Sequence, residues 1–278
     1  MSSYVRPTTL ADALEALSSS SHVIVAGATD HYPARVTHSR SESVLDISAI
    51  RGLQRITASE AGWVIPALVT WSDLLGADLP SQFDGLKASA RTIGGIQIQN
   101  RATVCGNVCN ASPAADGIPN LLALDAEVEL ASSGGTRRLP LRSFLTGYRQ
   151  TQRRHDELVT AIHVPRLGPG TRATFIKLGS RSSLVISIVM VAAVITTDPA
   201  GIIGAAAFSV GACSPVALRL PALEARLLGR TLDAALAAEV GPDDLSTLVP
   251  IDDIRATATY RRQAALVLVR RALGDLVA

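Results

Sequence analysis

Between Thr103 and Asp116 the chain reads Thr-Val-Cys-Gly-Asn-Val-Cys-Asn-Ala-Ser-Pro-Ala-Ala-Asp, its densest run of residues suited to gripping a ligand. A Gly-Asn step, small polar side chains, a rigid proline and a carboxylate follow closely on Gly94-Gly95. Small side chains leave the main chain uncovered, so its N–H groups can approach a bound group. A second such stretch lies upstream, where Val23-Ile24-Val25-Ala26 runs as a strand into Gly27-Ala28-Thr29-Asp30. Successive bare amides form an anion-binding nest. Two such turns on separate strands suit a pyrophosphate held from both sides, which points to a dinucleotide. Spacing alone leaves open that both are ordinary tight turns.

The remaining reactive side chains are scattered. His31 directly follows the first turn and is a candidate ligand contact; His22, His38, His155 and His163 read as surface residues. Lys177, in Phe175-Ile176-Lys177-Leu178, is either the exposed face of a half-buried strand or a cation beside a cofactor edge, with Arg181 close behind. Cys105 and Cys109 are four apart, but Cys213 is the only other cysteine. That set supplies neither a four-ligand zinc site nor the thiolates of an iron–sulfur cluster, so the cysteines read as packing residues. There is no Gly-x-Gly-x-x-Gly opening a helix, no Gly-x-x-x-x-Gly-Lys loop, no His-Glu-x-x-His and no Gly-x-Ser-x-Gly elbow. No self-contained acid–base or nucleophile constellation emerges.

The elements that must position these residues fall into two parts. Thr9 caps a helix with Leu10, Ala13, Leu14 and Leu17 on one face, the Val23–Ala26 strand follows, and Val44–Ile47 reads as another. A new unit starts near Gly62 with Trp63-Val64-Ile65 extended and Thr70-x-x-Asp73 capping a helix. Residues 121–124 read as a helical turn. Glu127–Leu130 and Thr136–Leu139 form a hairpin across Ser132-Ser133-Gly134-Gly135. Pro165 to Gly170 is the strongest linker signal. Beyond it, residues 173–178, 185–196 and 202–210 read as an antiparallel meander, with Asp198-Pro199-Ala200-Gly201 turning the second strand into the third. Helices over 221–228, stopping at Gly229, and 259–273, ending before Gly274, then pack on one face of this sheet.

Bulk properties narrow the classes further. The chain has 278 residues, is 47% hydrophobic and 18% charged, and carries a net charge of +2; two domains are the better expectation. Aromatic content of 4% without a basic stripe argues against nucleic-acid binding. The longest apolar run, 184–195, is interrupted by Ser187 and too short to span a bilayer. No secretory pattern opens the chain, and three cysteines make no disulfide framework, so a soluble cytoplasmic protein is expected.

Taken together, these residues resemble the FAD-binding medium subunits of the molybdenum hydroxylase, or xanthine dehydrogenase, family. The family's first loop, Ala-Gly-Gly-Thr-Asp, stands here as Ala26-Gly27-Ala28-Thr29-Asp30. Its second, Gln-Ile-Arg-Asn, Ala-Thr-Ile-Gly-Gly-Asn and Ala-Ser-Pro-x-x-Asp, stands as Gln97 to Asn100, Ala102 to Asn107 and Ala111 to Asp116. The Glu157-Leu158-Val159 strand ending at Val164-Pro165, Phe175-x-Lys177-x-Gly179-x-Arg181, Gly211 and Tyr260-Arg261 follow in the family's order. The resemblance implies an α+β protein. A vanillyl-alcohol-oxidase-type (PCMH-type) FAD-binding domain would cover 1–168, with α/β subdomains of about 1–55 and 56–168. A C-terminal domain of a three-stranded antiparallel sheet with helices would cover 169–278.

By the same resemblance, FAD would be held by Val25, Ala26, Gly27, Ala28, Thr29, Asp30 and His31, and by Thr103, Cys105, Gly106, Asn107 and Asn110. Asp116 would lie near the flavin's polar parts, Val159 and Lys177 by the isoalloxazine and adenine, and Ile93 where some relatives place an aromatic over the ring. Electrons would arrive from a small partner with two [2Fe-2S] clusters, fed by a large molybdopterin subunit, in heterotrimers that often pair. Three departures carry expectations. Ala28 replaces a glycine, tolerable only if its φ stays negative; Cys105 replaces another and would crowd the cofactor; Gln99 replaces an arginine and removes a charge. Two other readings follow: a stand-alone flavoenzyme of the same fold, and a scaffold subunit that has lost FAD.

Overall fold

In the computed structural model, which describes residues 3–33, 42–181 and 184–277, the first ordered turn forms where the sequence caps it. Thr9 Oγ1 accepts the Asp12 amide at 3.2 Å and the helix Leu10–Ser19 follows. Ala13 and Leu17, one helical turn apart, are its buried residues and pack with Leu45, Ile47, Leu68 and Leu158. Beside this helix lies a small parallel sheet, Tyr4–Val5, Val44–Asp46 and Val23–Val25, with Val44–Asp46 in the middle. The chain therefore leaves Val25 at the carboxyl end of a parallel strand, the end where such sheets expose binding loops.

A five-stranded antiparallel sheet follows, ordered Thr57–Ala58, Gly62–Pro66, Leu158–Pro165, Glu127–Ser132 and Gly135–Pro140. The expected hairpin is present, its turn held by Gly134 N donating to Ser132 Oγ at 3.2 Å. Thr70 and Asp73 form the expected capping box on the helix Trp71–Gly76. That helix, with Asp84–Thr92, Val104–Asn110 and Gly117–Ala123, closes one face of the sheet over Ile65, Val128, Leu130 and Ile162.

The C-terminal sheet is an antiparallel meander of Thr171–Leu178, Val189–Thr197 and Ile203–Gly211, extended by a two-residue fourth strand, Leu218–Arg219. A strand that short leaves no periodicity to read, which is why three strands are expected. The second strand begins at Val189 rather than Val185, because the preceding residues leave the ladder to reach the adjoining unit. Its turn into the third is held by Asp198 Oδ1, which accepts the Ala200 and Ile202 amides at 2.9 and 2.8 Å. The last helix, Ala258–Val277, runs through Gly274. A glycine in a helix only weakens it, and burial of Ala265, Val269, Ala272 and Leu276 outweighs that loss. Among the described residues no helix is long and apolar enough to cross a membrane.

This sheet is covered twice. Ile176, Leu178, Val189, Val191 and Ala193 face the long C-terminal helix, while Phe175, Met190, Ala192, Val194 and Ala207 complete the core under the preceding unit's helices. Arg261 ties the helix to the sheet. Its Nη1 donates to Ile188 O at 2.6 Å and Ala212 O at 2.9 Å, and its Nη2 to Asp253 Oδ1 at 2.7 Å. Desolvation opposes ionisation of Asp253, yet donors from the Arg255 amide, Arg261 and the Ala256 amide lower its carboxyl to about 2. A carboxyl lowered by folding contributes stability above its ordinary 3.8 and loses it as pH falls toward about 2. In Arg261→Met, denaturant titration at pH 7 should show a loss of about 3 kcal/mol, and the acid dependence between those two pH values should shrink.

Candidate functional site

The first loop opens at Val25, which is buried, and Ala26, which is half-buried on the small core. At Gly27 the main chain lies directly against the second segment: a Cβ there would stand 1.9 Å from Arg101 O. Only glycine permits that approach. Ala28 then takes φ +58°, the left-handed region, so the expectation of a negative φ fails. Its conformation costs about 1 kcal/mol for a residue with a Cβ. Among the described residues the amides of Gly27, Ala28, Thr29 and Asp30 donate no hydrogen bond. A left-handed residue among free amides is the geometry of an anion nest. His31 is turned aside to Glu42, with Nε2 at 3.4 Å from the carboxylate, and edge-on to Tyr32.

The second segment is not the bare turn expected from its Gly-Asn step. Thr103 caps the helix Val104–Asn110, its Oγ1 accepting Gly106 N at 3.0 Å and its carbonyl accepting Asn107 N at 3.1 Å. Val104 N is bonded to Val69 O. Gly106 is exposed, and a Cβ there would sit 2.7 Å from the capping hydroxyl, so glycine preserves the cap. Cys105 corrects a second expectation. The helix turns its thiol into the core, 3.6 Å from Ile65 O and 2% exposed, where it crowds no ligand. Asn107 Oδ1 is buried without a hydrogen-bond donor among the described residues. Gln99 is buried and donates to Arg91 O.

Arg149 joins the two segments and was not foreseen. Its Nη1 donates to Asp30 Oδ2 at 2.9 Å and Asn110 Oδ1 at 2.8 Å, and its own amide to Ala111 O at 3.0 Å. The hydrogen-bonded Asp30 carboxylate raises the guanidinium's pKa. Lying in a short hairpin turn with φ +52°, Arg149 shows no sequence signal beyond that of an ordinary surface turn.

Three other expected contacts are redirected. Lys177 Nζ lies 2.6 Å from Asp116 Oδ2, and Ser187 Oγ donates to Asp116 Oδ1 at 2.5 Å. Both charges are buried and hold each other. Burial pushes the Asp116 carboxyl up, against the opposing pull of Lys177 and both hydrogen bonds. The Val159 side chain packs in the core of a central strand. Ile93 remains half-buried at the end of the Asp84–Thr92 helix, leading into Gly94-Gly95.

Residues 1–167 match the FAD-binding domain of molybdopterin dehydrogenases, and residues 174–276 match the C-terminal domain of CO dehydrogenase flavoproteins. The chain belongs to this family of FAD-binding subunits. It is 28% identical to the xanthine dehydrogenase FAD-binding subunit of Escherichia coli O157:H7, over 99% of this chain and 96% of that one. With the glyceraldehyde dehydrogenase medium chain of Sulfolobus acidocaldarius the identity is 29%, over 99% and 98%. A reconstituted CO dehydrogenase from Oligotropha carboxidovorans superposes with a TM-score of 0.90 at 25% identity, covering all of this chain and 98% of that one.

Two substitutions test the site's construction. Lys177→Met leaves Asp116 buried and unpaired, and should lower unfolding free energy by about 3 kcal/mol in denaturant titration. Ala28→Gly removes the left-handed strain and should raise it by up to about 1 kcal/mol; a loss instead would show that the Ala28 methyl is packed to advantage.

Proposed function

We propose that this FAD-binding subunit relays electrons within a multi-subunit molybdenum hydroxylase. They enter from [2Fe-2S] clusters of a small partner, fed by a large molybdopterin subunit, and leave to an external acceptor. Residues 1–168 form the FAD-binding domain and 169–278 the C-terminal domain. The observation carrying this reading is the closure of the first loop on the second, main chain against main chain at Gly27 and Arg101, with free amides on one side.

The residues present fit the cofactor. The amides of Gly27 to Asp30 suit a diphosphate, which needs donors and no side-chain bulk. The unpartnered Asn107 Oδ1 is an acceptor for a ribityl hydroxyl, and Thr103 and Gly106 fix the helix that carries it. Arg149 sets the separation of Asp30 and Asn110, and hence the width of the opening. Ile93 would offer the ring an apolar surface. When bound, FAD supplies the exchange between one-electron and two-electron transfer. The protein's part is to hold it, limit water around it and set how much of its edge is exposed. Asp116 and Lys177 serve that end by fixing the C-terminal sheet against the loops.

The visible absorption spectrum of the purified chain, after incubation with FAD and desalting, tests this reading. Wild type should retain near-stoichiometric flavin, and Gly27→Val, which drives the loops apart, should retain less than a tenth as much. A colourless wild type would favour the scaffold reading, and flavin retained equally by Gly27→Val would remove the diphosphate from this loop.

A further inference from the structure

Along the Thr171–Leu178 strand runs a cleft of about 620 Å³, and of its lining only Lys177 enters the flavin reading. Its walls are Arg91 and Thr92 of the Asp84–Thr92 helix and Arg271 and Asp275 of the C-terminal helix; residues 175–179 and Arg181 complete it. Successive strand side chains point to opposite faces. Here Ile176 and Leu178 lie under the C-terminal helix, while Phe175 and Lys177 face the other unit. A cleft touching all of them lies along the strand's margin, between the two helices. This strand is the sheet's edge, bonded to Val189–Thr197 alone. Near its start the margin is closed, since Ser81 Oγ donates to the outward Thr171 O at 2.7 Å. Leu178 O is bonded inward to Ile188 N, so by the ladder's alternation the main-chain groups of Phe175 and Lys177 point outward, and among the described residues they take no hydrogen bond outside the sheet.

An open edge is a template for another strand, and the charges around it state which kind. Arg91, Arg181 and Arg271 set three guanidiniums against the single carboxylate of Asp275. Among the described residues none of the three forms an ion pair. A nucleotide finds less here. Phe175 is 9% exposed and offers no face for a base, and Gly179 is small to fit Val185, 2.5 Å from where its Cβ would be. We propose that this edge binds an extended acidic segment of a partner polypeptide as an added strand beside residues 175–178. Its alternate carboxylates would reach Arg91 on one face and Arg271 on the other.

The probe is a fluorescein-labelled heptapeptide, Val-Glu-Glu-Val-Glu-Glu-Val with blocked ends, titrated with the full chain and read by anisotropy. Binding should weaken as salt rises. The double variant Arg91→Glu/Arg271→Glu should lose at least tenfold in affinity, gain affinity for the corresponding Val-Lys-Lys peptide, and keep wild-type flavin content. N-methylation of alternate peptide amides should also cost at least tenfold. No binding of the acidic peptide, or binding indifferent to the charge swap or to N-methylation, overturns the proposal. Displacement of the peptide by equimolar ATP overturns it in favour of a phosphate site. Flavin content, read on the same samples, separates either failure from a failure of the FAD assignment.

Discussion

A carboxylate shut away from water holds the two parts of this molecule in register. Asp116 is 6% exposed and ends the small-residue segment that follows the Val104–Asn110 helix. It reaches Lys177 on one strand of the C-terminal sheet and Ser187 on the chain entering the next. Its own carbonyl accepts Asn120 Nδ2, which fixes the start of the following helix. Pro113 O accepts Ala212 N beyond the third strand, so all three long strands are pinned to one segment. Desolvation offsets much of the attraction within a buried pair, and the raised Asp116 carboxyl is the mark of that opposition. What the pair determines is position. With Lys177 and Ser187 fixed, Phe175 and Met190 fall where they complete the core beneath the loops.

Backbone strain gathers around the same junction. Six described non-glycine residues have positive φ, and five of them lie on the converging segments. Ala28 is in the first loop; Ala111 ends the capped helix and bonds Arg149, itself left-handed; Ala212 is bonded to Pro113. Leu184 lies against the Gly95 turn, 3.9 Å from where a Cβ would stand. Only a surrounding that over-determines the backbone keeps such residues in place. Here that surrounding is the closed contact of Gly27 with Arg101 on one side and the Asp116 pair on the other.

How far the sequence revealed this depended on how local each cause was. The caps at Thr9 and Thr70, the 132–135 hairpin turn and the meander rest on neighbouring residues, and all are present. The first loop was legible as a tight turn leaving a strand, because Gly27 and its small neighbours mark the place where the chain turns. The Val104–Asn110 helix was not. Valine, glycine and asparagine are poor helix formers, and the helix stands because Val104 and Val108 share a buried face and Thr103 caps it. That i, i+4 pair was visible, but the Gly-Asn step between its members reads as a turn. The Lys177–Asp116 pair spans 61 positions and Arg149 reaches 119 positions to Asp30. No local pattern announces partners so distant, so the burial of Lys177 and the role of Arg149 needed the assembled chain.

The edge strand shows how one element serves separate ends without conflict. Its side chains alternate, so one set packs under the C-terminal helix and the other, with Lys177, meets the flavin-domain segment. Its main chain lies in the plane between, bonded inward to Val189–Thr197 and open outward at the cleft. These three directions are nearly perpendicular, and a contact made along one displaces nothing along the others. A strand added at the margin therefore leaves the Asp116 pair as it is, while neutralising charge on the two helices that bound the sheet. One of these is the helix whose Arg261 holds Ile188 and Ala212. About 15 Å of rigid helix separates Arg261 from Arg271, so docking at the margin bears on the sheet's anchorage through that helix rather than through the loops.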